Sequence, residues 1–270
     1  MSSNRVLVLG AIAGMTILLG LPVGRLRNPA PRLRALLNAV AIGILAFLLF
    51  DVLSHANEPV ETALSDAADG VASWWRFARL AAVFVTGFAV GLIGLVYFDQ
   101  HLNSPSTVPK RRRSLSSWTP SKRLALLIAA GIGLHNFSEG LVIGQSAANG
   151  EISLALLLII GFGAHNATEG FGIIAPLTGE AERPSWGFLG AMGLLAGGPT
   201  FVGTIVGKSF ANDTLFLAFL ALAAGSILYV IIQLLKVASR QPFTKLIMWG
   251  IFAGIVAGFA SDYVLVAAGI

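Results

Sequence analysis

The chain has 270 residues, of which 56% are hydrophobic and 11% charged, with a formal charge of +5. Soluble domains carry roughly 25% charged residues, so this composition, with a mean hydropathy of +0.80, excludes an ordinary water-exposed surface and makes lipid the solvent. The lack of cysteine excludes disulfides, thiolate metal sites and cysteine nucleophiles, and the basic residues sit in short segments between apolar runs, a topology signal rather than a nucleic-acid footprint.

Apolar runs close to the roughly 20 residues that span a bilayer occur at about 5–24, 35–54, 78–98, 122–147, 152–175, 185–208, 212–235 and 243–266. They predict an all-α integral membrane protein with eight transmembrane helices, a single domain over 1–270, in a cell (inner or plasma) membrane. The first run is not followed by a small-residue cleavage site and a soluble chain, so it is taken as a span and not a signal peptide. Pro22, Pro29, Pro31, Pro59, Pro105, Pro109, Pro120, Pro184 and Pro242 are expected in or beside loops, where a missing backbone donor costs least.

Charge alternates between the connections. Arg25, Arg27, Arg32 and Arg34 follow the first span; Lys110, Arg111, Arg112, Arg113, Lys122 and Arg123 follow the third; Arg183, and then Lys236, Arg240 and Lys245, mark the next crossings on the same side. The opposite side carries Glu58, Glu61, Asp66, Asp69, Glu151 and Asp213. An excess of Lys and Arg marks the cytoplasmic side, which places both termini outside it. The segment from about 99 to 121, rich in Ser, Thr and Pro, is expected to be a mobile cytoplasmic loop whose basic cluster fixes topology and can touch anionic lipid. Trp74, Trp75, Trp118, Trp186 and Trp249 are expected as interfacial anchors.

The chain has four histidines, and two of them open near-identical hexamers: His135-Asn136-Phe137-Ser138-Glu139-Gly140 in the fourth helix and His165-Asn166-Ala167-Thr168-Glu169-Gly170 in the fifth. Positions i and i+4 share one helix face, so each His projects with its Glu, and each Asn sits about 100° round, still able to line the same cavity. Gly131, Gly133, Gly140, Gly161, Gly163 and Gly170 flank the hexamers and are expected to let the two helices approach closely. An ionised carboxylate at mid-membrane costs about 2.5–3.5 kcal/mol on insertion scales unless a cation or proton neutralises it. One divalent cation neutralises two carboxylates. Imidazole with carboxylate suits zinc, ferrous iron and manganese, whereas calcium and magnesium prefer oxygen alone. The structural alternative is polar glue between helices. No enzyme is expected: there is no His-Glu-x-x-His helix, and di-iron bundles use Glu-x-x-His at i, i+3.

These hexamers, and eight spans with both termini outside, resemble the ZIP family of divalent metal transporters over essentially the whole chain. The resemblance implies zinc uptake toward the cytoplasm, extending to iron, manganese or cadmium, through a site between helices four and five. That site is exposed alternately as a transport bundle moves against a scaffold. The ion is substrate, and no cofactor is implied. Carried over by position, His135, Glu139, His165 and Glu169 form the primary site, and Asn136 and Asn166 serve an adjacent second site that shares the glutamates. Ser138 and Thr168 stand where the family usually has proline, and their hydroxyls are expected to bond a preceding-turn carbonyl and bend the helix more weakly. In the sixth helix, Ala196-Gly197-Gly198-Pro199-Thr200, Gly198 stands where the family commonly has an acid, which takes a ligand from the second metal.

Asp51 and His55, spaced i, i+4 at the expected outer end of helix two, and Asp262 near the outer end of helix eight are candidate entrance ligands. Asp99 and His101, near the cytoplasmic end of helix three, are candidates for receiving the released ion. An interfacial capping cluster and a solvated helix end are the respective alternatives. Two other functions stay open: an intramembrane metal-dependent enzyme using the same ligands, and a proton-relay carrier of another solute. The Gly-rich sixth and eighth helices offer close-packing faces, either within the chain or in a homodimer.

Overall fold

The computed structural model describes residues 3–25, 31–103, 118–150, 152–180, 182–209 and 212–267. Arg27, Glu151 and the basic cluster Lys110, Arg111, Arg112 and Arg113 lie outside the described residues. Every regular element among those described is helical: α1 (Ser3–Met15), α2 (Pro31–Ala68), α3 (Trp74–Asn103), α4 (Pro120–Ala148), α5 (Ile152–Ile174), α6 (Trp186–Ser209), α7 (Asp213–Ala238) and α8 (Thr244–Ala267). Among the described residues, eight segments are long and apolar enough to cross a membrane, the character of a multi-pass membrane protein. Several ends follow from local chemistry. Pro31 and Pro120 open α2 and α4, where a missing N–H is harmless, and the Thr119 side chain accepts from the Lys122 N–H at 3.3 Å as N-cap.

Three expected boundaries shift. α2 is 38 residues long and runs through Pro59, which was expected beside a loop. Beyond Ser54 the sequence is polar overall but keeps a helical stripe, Ala56, Val60, Ala63 and Ala67. The first three of these pack with Leu80 of α3 and Leu217 and Leu220 of α7. That burial outweighs the bond Pro59 withholds from the His55 carbonyl. Glu58, Glu61 and Asp66 are therefore helical, and Asp66 pairs with Arg76 at 2.8 Å across the turn into α3. The second shift is in the first span, where α1 ends at Met15 and tightens into 3-10 turns over Thr16–Leu19 and Leu21–Arg25. The Thr16 hydroxyl lies 2.7 Å from the Ala13 carbonyl and 2.6 Å from the Gly163 carbonyl of α5, and Pro22 donates nothing. The third is α3, which continues to Asn103, so Asp99 and His101 are helical rather than loop residues.

The helices fall into two groups by their contacts. α4 packs most extensively on α6, α1 lies against α6 and α5, and α4 meets α5; α3 runs along α7, and α2 along α8 and α7. Contacts of α4 with α7 and of α2 with α5 join the groups. α4 is the most enclosed span, while α3 and α8 are the most exposed. Their outer residues, such as Val85, Val90, Phe252 and Val256, are apolar, as a lipid-facing surface requires. Trp74, Trp75, Trp186 and Trp249 are exposed, whereas Trp118 is half-buried edge-on against Phe188.

Gly131, Gly133, Gly140, Gly163 and Gly170 do not serve the α4–α5 contact as expected. A Cβ on Gly133 or Gly140 would strike the Leu195 or Thr200 carbonyl of α6, and one on Gly131 the Val230 side chain of α7. Gly163 faces Ala13 and Thr16, and Gly170 faces Ile17 and Gly20. Small residues thus seat α4 on α6 and α5 on the first span, leaving α4 and α5 far enough apart for imidazole and carboxylate side chains between them. Several glycines of α6, and those of α8, are likewise used within the chain, such as Gly197 against Gly14, Gly203 against Phe137 and Gly254 against Gly43, whereas Gly187, Gly190 and Gly198 of α6 face open space.

Candidate functional site

In α4 and α5 the hexamers sort their side chains by angle. His and Glu share the inward face, while Phe137, two positions from His135, points away and packs on Phe219 of α7 with ring centroids 4.8 Å apart. Consecutive spans run antiparallel, so the His end of one hexamer lies level with the Glu end of the other. The result is two crosswise pairs: His135 Nε2 is 2.8 Å from Glu169 Oε1, and His165 Nε2 is 2.6 Å from Glu139 Oε1. The first pair is sealed, with side chains 2% and 1% exposed, and the second is more open, at 15% and 8%.

Around the pairs each hexamer repeats one set of bonds. The Asn136 side-chain amide donates to the Ala196 carbonyl of α6 at 3.0 Å, and that of Asn166 to the Ala13 carbonyl of α1 at 3.2 Å. The Ser138 and Thr168 hydroxyls each donate at 2.6 Å to the carbonyl of their own hexamer's histidine, His135 and His165, as expected where proline is missing. Ala13-Gly14 on the first span and Ala196-Gly197 on α6 thus play matching parts, and their glycines abut. Ala13, Gly14 and Thr16 were not singled out from sequence, and in the run Ala196–Thr200 attention fell on Gly198 rather than on Ala196, Gly197 or the buried Thr200. Their signal is the repeated Ala-Gly pair followed within four residues by Thr16 or Thr200.

Several buried polar atoms are left over. Glu139 Oε2, Glu169 Oε2, His135 Nδ1, and the Oδ1 atoms of Asn136 and Asn166 have no hydrogen-bond partner among the described residues. Leaving such groups unmet in a low-dielectric interior costs about 1–3 kcal/mol each. The donor set is right for a borderline divalent cation, but the four groups stand as two hydrogen-bonded pairs. Among the described residues, no group of three or more His, Asp or Glu side chains is arranged to hold a metal ion. Bringing all four onto one ion requires the His–Glu hydrogen bonds to open.

Asp51, midway along α2, lies within electrostatic reach of His55, Asp262 of α8, His165 and Glu139. This sets Asp51 near the more open pair, with His55 and Asp262 near Asp51. His55 is turned back on its own helix, with Nδ1 2.9 Å from the Asp51 carbonyl and 3.5 Å from its carboxylate. Asp99 sits within electrostatic reach of Tyr229 on α7, and His101 is exposed in the last turn of α3. Gly198 does not face the pairs. It lines an apolar groove with Gly133, Phe137 and Phe219, and a Cβ there would meet nothing.

No protein-family model matches this sequence, and no curated protein matches it.

Proposed function

We propose that this protein is a ZIP-like divalent metal transporter of the cell membrane, carrying zinc toward the cytoplasm, with iron, manganese or cadmium as related substrates. The observation that carries the reading is the pair of buried glutamates, each with one oxygen on a histidine of the neighbouring helix and the other unmet. Two carboxylates and two imidazoles on adjacent spans can neutralise and ligate one divalent ion. In this reading the ion enters past Asp51 and Asp262, displaces the His165–Glu139 bond first because that pair is less sealed, and then takes over His135 and Glu169. Release follows when a change in helix packing lets the His–Glu bonds re-form. The crosswise bonds are then what the protein holds without its substrate: they occupy one oxygen of each glutamate and one ring nitrogen of each histidine.

Zinc uptake into proteoliposomes, compared for the parent, Glu139→Ala and Glu169→Ala, tests this. Uptake lost in both variants supports the assignment, and unchanged uptake in both rejects it.

A second reading is favoured by the 2.8 and 2.6 Å His–Glu contacts themselves. Each is a ready proton-exchange pair, so the chain can be read as a proton-coupled carrier of another solute. Proton flux that persists in chelator and is abolished by Glu139→Ala, without any metal uptake by the parent, would select it.

A further inference from the structure

We infer that the protein binds the phosphate headgroup of an anionic membrane lipid in a basic cavity at the end of the bundle where α2, α4 and α8 begin and α5 and α7 end. The cavity measures about 500 Å³ and carries Arg34 from the first turn of α2 and Arg240 from just beyond α7. An adjoining cavity of about 420 Å³ shares Pro242 and Phe243 with it and adds Arg32 and Lys245. Among the described residues, no acidic side chain lines either.

Four cationic side chains across two adjoining cavities at the end of the apolar spans create a local field that attracts a phosphate, and arginine is suited to gripping it through two parallel N–H bonds. The remaining wall decides the kind of phosphate. Leu124, Val237 and Phe243 supply an apolar flank beside the arginines, which suits a ligand with a charged head and a hydrocarbon body. Basic pockets between transmembrane helices are a recurrent way of holding anionic lipid headgroups. Ser121 and Pro176 come from the helix group that holds the hexamers, whereas Arg34 and Arg240 come from the other. A headgroup seated here touches both groups at once.

The experiment uses the full chain in detergent and reads thermal unfolding against added dioctanoyl phosphatidylglycerol, dioctanoyl phosphatidylcholine or inorganic phosphate. Saturable stabilisation by the phosphatidylglycerol alone is expected. Arg240→Gln should weaken its apparent affinity about fivefold, and Arg34→Gln with Arg240→Gln about 30-fold, from roughly one unit of surface-charge attraction per arginine. The exposed Arg79→Gln, on α3, should leave it unchanged. If the double variant does not fold, Arg240→Gln decides, since Arg240 is exposed beyond the helix end. Equal stabilisation by phosphatidylcholine, or affinity within about twofold of the parent in Arg240→Gln, overturns the proposal. Saturation by inorganic phosphate that the arginine variants abolish overturns the lipid source in favour of a free anion. None of these readings depends on metal transport.

Discussion

Glu169→Gln separates the ligand role of this carboxylate from its structural role. Glu169 is 1% exposed and its Oε1 lies 2.8 Å from His135 Nε2. A glutamine amide oxygen in the same place still accepts from a protonated Nε2, so the change should cost folding stability less than about 1.5 kcal/mol. Glu169→Leu instead strands His135, and should cost about 1–3 kcal/mol for the unmet group alone. Metal binding should respond in the reverse order of subtlety, because an amide is a far poorer ligand for zinc than a carboxylate. Substitutions one shell further out commonly cost 10–100-fold in affinity, so loss of a direct ligand should cost about 100-fold or more. Zinc at about 100 times the parent dissociation constant stabilises the parent by about 2.7 kcal/mol, and at the same concentration a variant bound 100-fold more weakly gains only about 0.4 kcal/mol. Thermal or denaturant unfolding of parent and Glu169→Gln, with and without zinc, reads both quantities. A glutamine variant that folds like the parent and keeps the full zinc-induced gain would refute the ligand role.

Crosswise pairing makes a prediction of its own: double-mutant cycles on stability should give coupling of about 0.5–3 kcal/mol for His135 with Glu169 and for His165 with Glu139, and less for His135 with Glu139 on one helix. At the α4–α6 seam, Gly140→Leu must push the Thr200 carbonyl away and should destabilise by about 1–3 kcal/mol or more; Gly198→Ala, which meets nothing, should stay within about 0.5 kcal/mol of the parent in the same unfolding assay. Zinc affinity in a binding titration should fall as pH drops through the imidazole range near 6.5, because the metal needs neutral histidine and ionised glutamate, and protons compete for both; affinity flat between about pH 5 and 7.5 would count against these ligands.

Helix count and approximate span positions were legible because hydropathy is a local, additive property, and a lipid-facing helix has no other way to satisfy its backbone. His135, Glu139, His165 and Glu169 were legible for a related reason: polar groups are costly in apolar spans, and the repeat at i, i+4 fixes which faces carry them. α2 was harder. Its extension past Pro59 depends on Ala56, Val60 and Ala63 finding Leu80, Leu217 and Leu220 on other helices, and Pro59 locally argues the opposite.

By itself, the sequence determined that this is a helical membrane protein with two matched polar hexamers on adjacent spans. Tertiary structure decided how those hexamers are used. Antiparallel packing joined each histidine to the other helix's glutamate, and the small residues were spent on α6 and the first span rather than between α4 and α5. The same packing turned Gly198 out to an apolar groove, away from the paired side chains. Periodicity fixes the angle of a side chain about its own helix, but which neighbour stands at that angle is set by the packing of all the helices together.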